Sequence, residues 1–332
     1  MNLWQALAGF RAPMATAFVA FITTIAVTPW VIQFAKDKGA MDDPTKDERR
    51  VHTQPIPRWG GLAVFPGFLA AVVVSLSFAW PKGSFPMYLI GMVVCAAVLL
   101  AIGMVDDVKQ LSAKVQLLYL LAAGVVVQLF ADALGHVQVQ GISLPGQGWV
   151  AFPLWVAVPF TAVYIFVVTK TMDTIDGVDG LASGIAAIAA ATIVTLAVFG
   201  QQRWVALSAA AVGGACLGFL RYNYNPARIF LAGGAQVVGF LLACLSVVAA
   251  LKTAATLSML LPILIFSVPL FDAFFVVTRR IMHKQPISQA DKRHVHHTLL
   301  SKGFSQKQTV WILYLVAMAV SGTLLVLVRS RG

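Results

Sequence analysis

The sequence predicts an all-α, polytopic integral membrane protein with about ten transmembrane helices. Three observations carry this. Of 332 residues, 59% are hydrophobic and only 11% charged, where a soluble domain carries about 25% charged residues. Apolar runs of 18 or more residues recur along the whole chain, long enough to cross a bilayer as helices. Blocks such as AAVVVSLSFAW and GIAAIAAATIVTLAVF lack the apolar–polar alternation of a membrane β-barrel.

Taken in order, the apolar segments lie near residues 12–34, 61–80, 86–104, 115–131, 149–169, 180–199, 204–220, 229–250, 254–278 and 309–328. Arg11 is the only charge before the first, and no small-residue cleavage site follows it, so the segment reads as a retained helix rather than a signal peptide. Gly/Pro-rich and charged stretches separate the segments. No repeat or soluble module interrupts them, so residues 1–332 read as a single transmembrane domain. Cys95, Cys216 and Cys244 fall inside apolar segments and imply buried thiols rather than disulfides.

Ten helices make the loops alternate between two faces. Loops 35–60, 105–114, 170–179, 221–228 and 279–308 hold 18 of the 24 Lys and Arg residues. The positive-inside rule puts these loops in the cytoplasm and both termini outside. Acidic residues contribute little to topology, yet 12 of 13 lie in these same loops or at the adjoining helix ends, Asp132 being the exception. A basic face made only for lipid headgroups would need no acids. Acids and bases together suit a polyanionic substrate and a metal ion.

Four stretches carry chemistry. In GMVDDVKQLSAK, Asp106 and Asp107 end an apolar helix, where a carboxylate costs about 2.5–3.5 kcal/mol on insertion scales and is a functional candidate by default. A solvated acidic helix end is the plain alternative. In TKTMDTIDGVDG, Asp173, Asp176 and Asp179 follow i, i+3 spacing, with Gly177 and Gly180 leaving room for close approach. One Asp could cap the next helix; three suggest a divalent cation with oxygen ligands. In DKRHVHHTLL, His294, His296 and His297 follow Asp291 in a basic loop. Without cysteines or an H-x-x-x-H pair they suit a diphosphate better than a metal. DDPTKDERRVHTQPIPRWGG, residues 42–61, reads as a structured loop because of its prolines, with bases placed for phosphate or headgroup. Asp272 is a further acid near a helix end.

These stretches, together with NPARIF at 225–230, resemble the polyprenyl-phosphate N-acetylhexosamine-1-phosphate transferases. The resemblance runs from Asp43 to Leu300, and HVHH looks like the GlcNAc-1-phosphate branch. It implies transfer of a sugar-1-phosphate from a cytoplasmic UDP-sugar to polyprenyl (undecaprenyl) phosphate with release of UMP, in a bacterial plasma membrane. It implies Mg²⁺ as cofactor, with Mn²⁺ as a substitute. Asp106 or Asp107 would activate the acceptor, Asp173 and Asp176 would sit at the metal, and Lys114, Lys170, Asp179, Asp291, His294, His296 and His297 would serve the substrates. No nucleic-acid partner is expected, and a homodimer is compatible with the reading. The family shows Asn where this chain has Lys170 and Asp173. Where the family reads F-[LM]-G-D-x-G-[SA], this chain reads FLAGGAQ, one residue short and lacking the Asp. That departure predicts weak turnover and weakened Mg²⁺ dependence. The rival reading from another class is an ion-coupled transporter, which would place its acids near the bilayer midplane on broken helices.

Overall fold

The computed structural model describes residues 3–46, 54–78, 85–144, 148–251, 260–283 and 294–331. These are helical almost throughout. The helices are α1 (Leu3–Asp37), α2 (Gly61–Phe78), α3 (Met87–Lys109), α4 (Ala113–Val126), α5 (Leu154–Thr174), α6 (Leu181–Phe199), α7 (Arg203–Asn223), α8 (Gly234–Leu251), α9 (Leu260–Ile265), α10 (Ser267–Met282), α11 (Val295–Ser301) and α12 (Gln306–Arg331). Two antiparallel hairpins interrupt them. β1 (Met41–Asp42) pairs with β2 (Ile56–Pro57), and β3 (Gly141–Leu144) with β4 (Gly148–Ala151).

By length and composition, α1, α2, α3, α5, α6, α7 and α12 can each cross a membrane; α4 with its 3-10 extension, and α8, are shorter apolar helices. With α9–α10 they match the ten expected segments. Two boundaries are corrected. Residues 148–151 form β4 rather than the start of a helix, and α5 begins only after Pro153, a residue without an N–H to lose at a first turn. The same helix runs on to Thr174, so Lys170 and Asp173 lie on its last turns rather than in a loop. The segment expected at 254–278 is divided at Phe266 between α9 and α10. Residues 252–259 lie outside the described residues, as do Asp291, Lys284, Lys292 and Arg293.

Helices α6, α7 and α8 form the buried centre of the bundle. Lipid tails are as apolar as the helices, so association relies on close packing of small residues. Gly214 lies against the Ala17 backbone of α1, where a Cβ would meet the carbonyl oxygen at 2.1 Å, and Gly213 against Ala190 of α6. Large apolar side chains such as Trp30, Trp155, Phe274 and Met282 point outward, as a lipid-facing surface requires.

The same device sets the loops that build the site. A Cβ on Gly61 would come 2.7 Å from the Gly234 Cα, and one on Gly233 would come 2.7 Å from the Gly103 Cα. The Gly60 N–H donates to the Phe230 carbonyl at 3.0 Å, and the Phe230 N–H to the Pro57 carbonyl at 2.9 Å. The segments 57–61, 103–107 and 230–234 are thereby locked together at one end of the bundle.

Asp132, the acid apart from the others, has a separate role. Its carboxylate accepts the Met87 N–H at 2.7 Å, an anion on the first turn of α3 where the helix dipole favours it.

Candidate active site

The described parts of all five basic loops meet at the end of the bundle that carries the glycine-locked segments. Arg58 reaches Asp107, the Ala232 N–H reaches Asp176, and Asn225 joins Asp179 to Gln306. His296 sits over Gly177, its Nε2 3.0 Å from where a Cβ on that glycine would stand. The described residues of the four chemistry-bearing stretches therefore share one cleft region.

Each carboxylate is held by a different element. Asp106, near the end of α3, accepts the Leu111 N–H at 2.7 Å and the Gln116 side chain at 2.8 Å. Asp107 faces the Gly233 N–H, with oxygens at 3.3 and 3.2 Å. The Arg58 guanidinium lies 3.9 Å from Asp107 Oδ1, donates to the Asp107 carbonyl at 2.9 Å and spans to Asp42 at 3.3 Å. Asp173 receives the Lys170 ammonium at 2.6 Å, and Lys170 also donates to Gln116 Oε1 at 2.7 Å. Asp176 accepts the Ala232 N–H at 2.9 Å. Burial pushes the Asp176 carboxyl well above the ordinary carboxylate range, the Ala232 amide opposes this, and the charges of Asp173 and Asp107 add to the rise.

Asp179 departs from the i, i+3 expectation. The backbone leaves the helix after Thr174, and Gly180 takes a left-handed φ of 81°. Asp179 thereby turns away from the cleft acids, accepting Asn225 Nδ2 at 2.9 Å and the Ala227 N–H at 3.0 Å. It borders a cavity of about 860 Å³ that Lys36, Ile56, Asn225, Arg228 and Gln306 also line.

The histidines divide by environment. His294 Nδ1 lies 2.8 Å from Asp272 Oδ2, and the other Asp272 oxygen accepts the Val295 N–H at 2.7 Å. Asp272 thus pins the start of α11 to α10 rather than joining the cleft acids. His296 is buried between His294, stacked at 5.6 Å, and His297, at 4.4 Å. Burial, then the neighbouring His297, drives its pKa down to about 3, so it is neutral at physiological pH. Lys114 is exposed on the first turn of α4. Asp291 lies outside the described residues.

Side-chain chemistry alone did not single out Arg58, Gln116 or the two backbone amides of Ala232 and Gly233. Arg58 was one base among several in its loop. The amides carry no side-chain signal; the glycine pair that places them was the available clue.

The cleft's carboxylate oxygens suit a hard cation chemically, but their arrangement does not form a cage for one. Among the described residues, no group of three or more His, Cys, Asp or Glu is placed to hold a metal ion. Each of the four acids instead already faces a protein donor, two of them cationic.

The sequence is similar to known proteins over most of its length. Residues 89–250 match the family described as glycosyl transferase family 4. The chain is 34% identical over 316 residues to a probable undecaprenyl-phosphate N-acetylglucosaminyl 1-phosphate transferase of Bacillus subtilis, covering 93% of this chain and 83% of that protein. It is 32% identical over 319 residues to a decaprenyl-phosphate N-acetylglucosaminephosphotransferase of Mycobacterium tuberculosis, covering 89% and 77%. It is 25% identical over 294 residues to the undecaprenyl-phosphate alpha-N-acetylglucosaminyl 1-phosphate transferase of Escherichia coli K12, covering 85% and 75%. The chain belongs to glycosyl transferase family 4, with the polyprenyl-phosphate N-acetylhexosamine-1-phosphate transferases that its motifs resemble.

Proposed function

We propose that the protein transfers a sugar-1-phosphate, GlcNAc-1-phosphate by its relatives' names, from a UDP-sugar to polyprenyl phosphate. The observation that carries this is the meeting of Asp106, Asp107, Asp173 and Asp176 with Arg58 and Lys170 at one end of an apolar bundle. The charge bias of the loops, 18 of 24 Lys and Arg, supports a cytoplasmic position for that end under the positive-inside rule, where a nucleotide sugar is available. The bundle gives the lipid acceptor access from the bilayer.

In this reading an oxygen of the acceptor phosphate bonds to the β-phosphorus of the donor. The bond from that phosphorus to the bridging oxygen breaks, and its electron pair leaves on UMP. A proton on the acceptor phosphate passes to Asp106 or Asp107, whose carboxylates keep lone pairs beyond those already engaged. Arg58 and Lys170 offset charge on the phosphates, the term on which phosphoryl transfer chiefly depends. The cavity beside Asp179 is of a size that takes the nucleotide, and His296, neutral because burial lowers its pKa, closes the donor side as a hydrogen-bonding group rather than as a cation. No step here is routed through Mg²⁺, because the described carboxylates form no cage for it.

The test uses the full chain in lipid nanodiscs with UDP-GlcNAc and undecaprenyl phosphate, measuring UMP and lipid-linked product. Release that requires both substrates is expected, as is its loss in Asp106→Asn with folding intact. UMP release that ignores the acceptor lipid would refute the transfer reading.

A further inference from the structure

We propose that Lys170 is the resident cation of the cleft, holding the place of a divalent ion between Asp173, the Gln116–Asp106 pair and the substrate's phosphate, so that the site binds a diphosphate without a metal. This rests on the reading of the cleft as a phosphoryl-transfer site.

Two independent features carry it. The first is the position of the ammonium. Lys170 Nζ lies 2.6 Å from Asp173 Oδ2 and 2.7 Å from Gln116 Oε1. The amide nitrogen of that same Gln116 donates to Asp106 at 2.8 Å. One cation therefore ties α5 to α4, and through Gln116 to the end of α3. An ammonium has three N–H donors, and two are engaged here. The side chain remains 36% exposed, which leaves the third donor for a phosphate oxygen. A divalent ion within ~2.1 Å of an Asp173 oxygen would have to displace this ammonium or sit against it.

The second feature is the segment 231–235. It offers donors rather than ligands: the Ala232 N–H goes to Asp176 and the Gly233 N–H to Asp107. Gly233 lies against the Gly103 backbone and Gly234 against Gly61, so no larger side chain fits at either place. The segment thus spends its polar groups on the acids that a metal would otherwise claim. Lys170, Arg58 and these two amides together give Asp107, Asp173 and Asp176 a donor from the protein itself, and the Leu111 N–H and Gln116 do the same for Asp106.

The experiment titrates Mn²⁺ alone into the full chain in nanodiscs, reading free ion by electron paramagnetic resonance, and then titrates inorganic pyrophosphate with EDTA or with Mg²⁺ present. The wild type should show no saturable Mn²⁺ site and should bind pyrophosphate equally in both buffers. Lys170→Asn should gain a Mn²⁺ site and lose roughly tenfold in EDTA-resistant pyrophosphate affinity, since a charge-assisted donor is removed, with Mg²⁺ restoring the loss. Lys170→Arg should behave like the wild type. A saturable Mn²⁺ site in the wild type, or pyrophosphate binding that needs Mg²⁺, overturns the proposal. Both decisive readings use the wild type, so they stand even where Lys170→Asn does not fold. They are also separate from UMP release: a chain that binds pyrophosphate without metal but releases no UMP keeps this inference and loses the transfer reading.

Discussion

His296 closes directly on Gly177: its Nε2 lies 3.0 Å from the point a Cβ on that glycine would occupy. Seven residues of short helix are thereby docked on the turn that presents Asp176. Gly177→Ala should push the ring outward and loosen α11. Its cost should be about 1 kcal/mol, at the low end for overpacking, because a side chain can yield by a few tenths of an ångström. Gly234→Ala should cost more, up to about 3 kcal/mol, because its Cβ would meet the Gly61 backbone at 2.5 Å. Thermal unfolding in detergent ranks the two; the reverse order would show that the Gly61–Gly234 contact is not a fixed point.

Asp272 should govern the docking of α11. It is buried and accepts both His294 Nδ1 and the Val295 N–H. Asp272→Ala leaves both without this partner, at about 1–3 kcal/mol for such a loss. Hydrogen exchange should rise across residues 295–301 and stay unchanged in α6 and α7. A uniform rise through the bundle would show that Asp272 supports the fold rather than this one helix.

The His296 pKa of about 3 has a pH consequence with a defined sign. An unfolded histidine titrates near 6.5. Between these values the unfolded chain binds a proton that the folded one refuses, so stability falls as pH falls. The contribution is complete above about pH 6.5 and declines below it, at up to about 1.4 kcal/mol per pH unit. His296→Gln should flatten the stability profile between pH 6.5 and 5. An unchanged profile would place the ring in water.

Arg58 should matter for turnover more than for assembly. It is the only described cation bridging Asp42 and Asp107, and it reaches the Asp107 carbonyl as well. Arg58→Lys keeps the charge but loses the fork that spans these groups. UMP release should fall at least about tenfold in Arg58→Lys, a loss of positioning, with the helical circular dichroism unchanged. Full activity in the lysine variant would make charge alone sufficient.

Ala232 stands at a left-handed φ of 51°, which costs a residue with a Cβ about 1–2 kcal/mol. Ala232→Gly should raise stability by about 1 kcal/mol and keep the amide on Asp176. Lowered stability would show that the methyl group's packing outweighs the backbone strain.

Much of the cleft was legible before any tertiary contact was known, because burying charge is costly. Asp106, Asp107, Asp173 and Asp176 stood out as acids at the ends of apolar runs, and all four meet here. Asp179 stood out equally by its spacing, yet it serves Asn225 and Ala227. Helical periodicity holds only while the helix continues, and α5 stops at Thr174. His296 read as a polar group for substrate; the structure makes it a buried neutral one.

By itself the sequence determined the all-helical membrane architecture, the ten apolar segments and the gathering of charged loops at one end. These follow from additive, local quantities: the hydrophobicity of each run and the cost of placing each charge. Only the tertiary structure decided that Lys170 would neutralise Asp173 while linking to Gln116, that Arg58 would be the base at Asp107, and that the Ala232 and Gly233 amides would face the acids. The aim of the two amides depends on how closely Gly61 approaches Gly234 and Gly103 approaches Gly233, and the Lys170 linkage on how α4 lies against α5. A backbone N–H has the same chemistry at every residue, so its role is set by where the packing aims it.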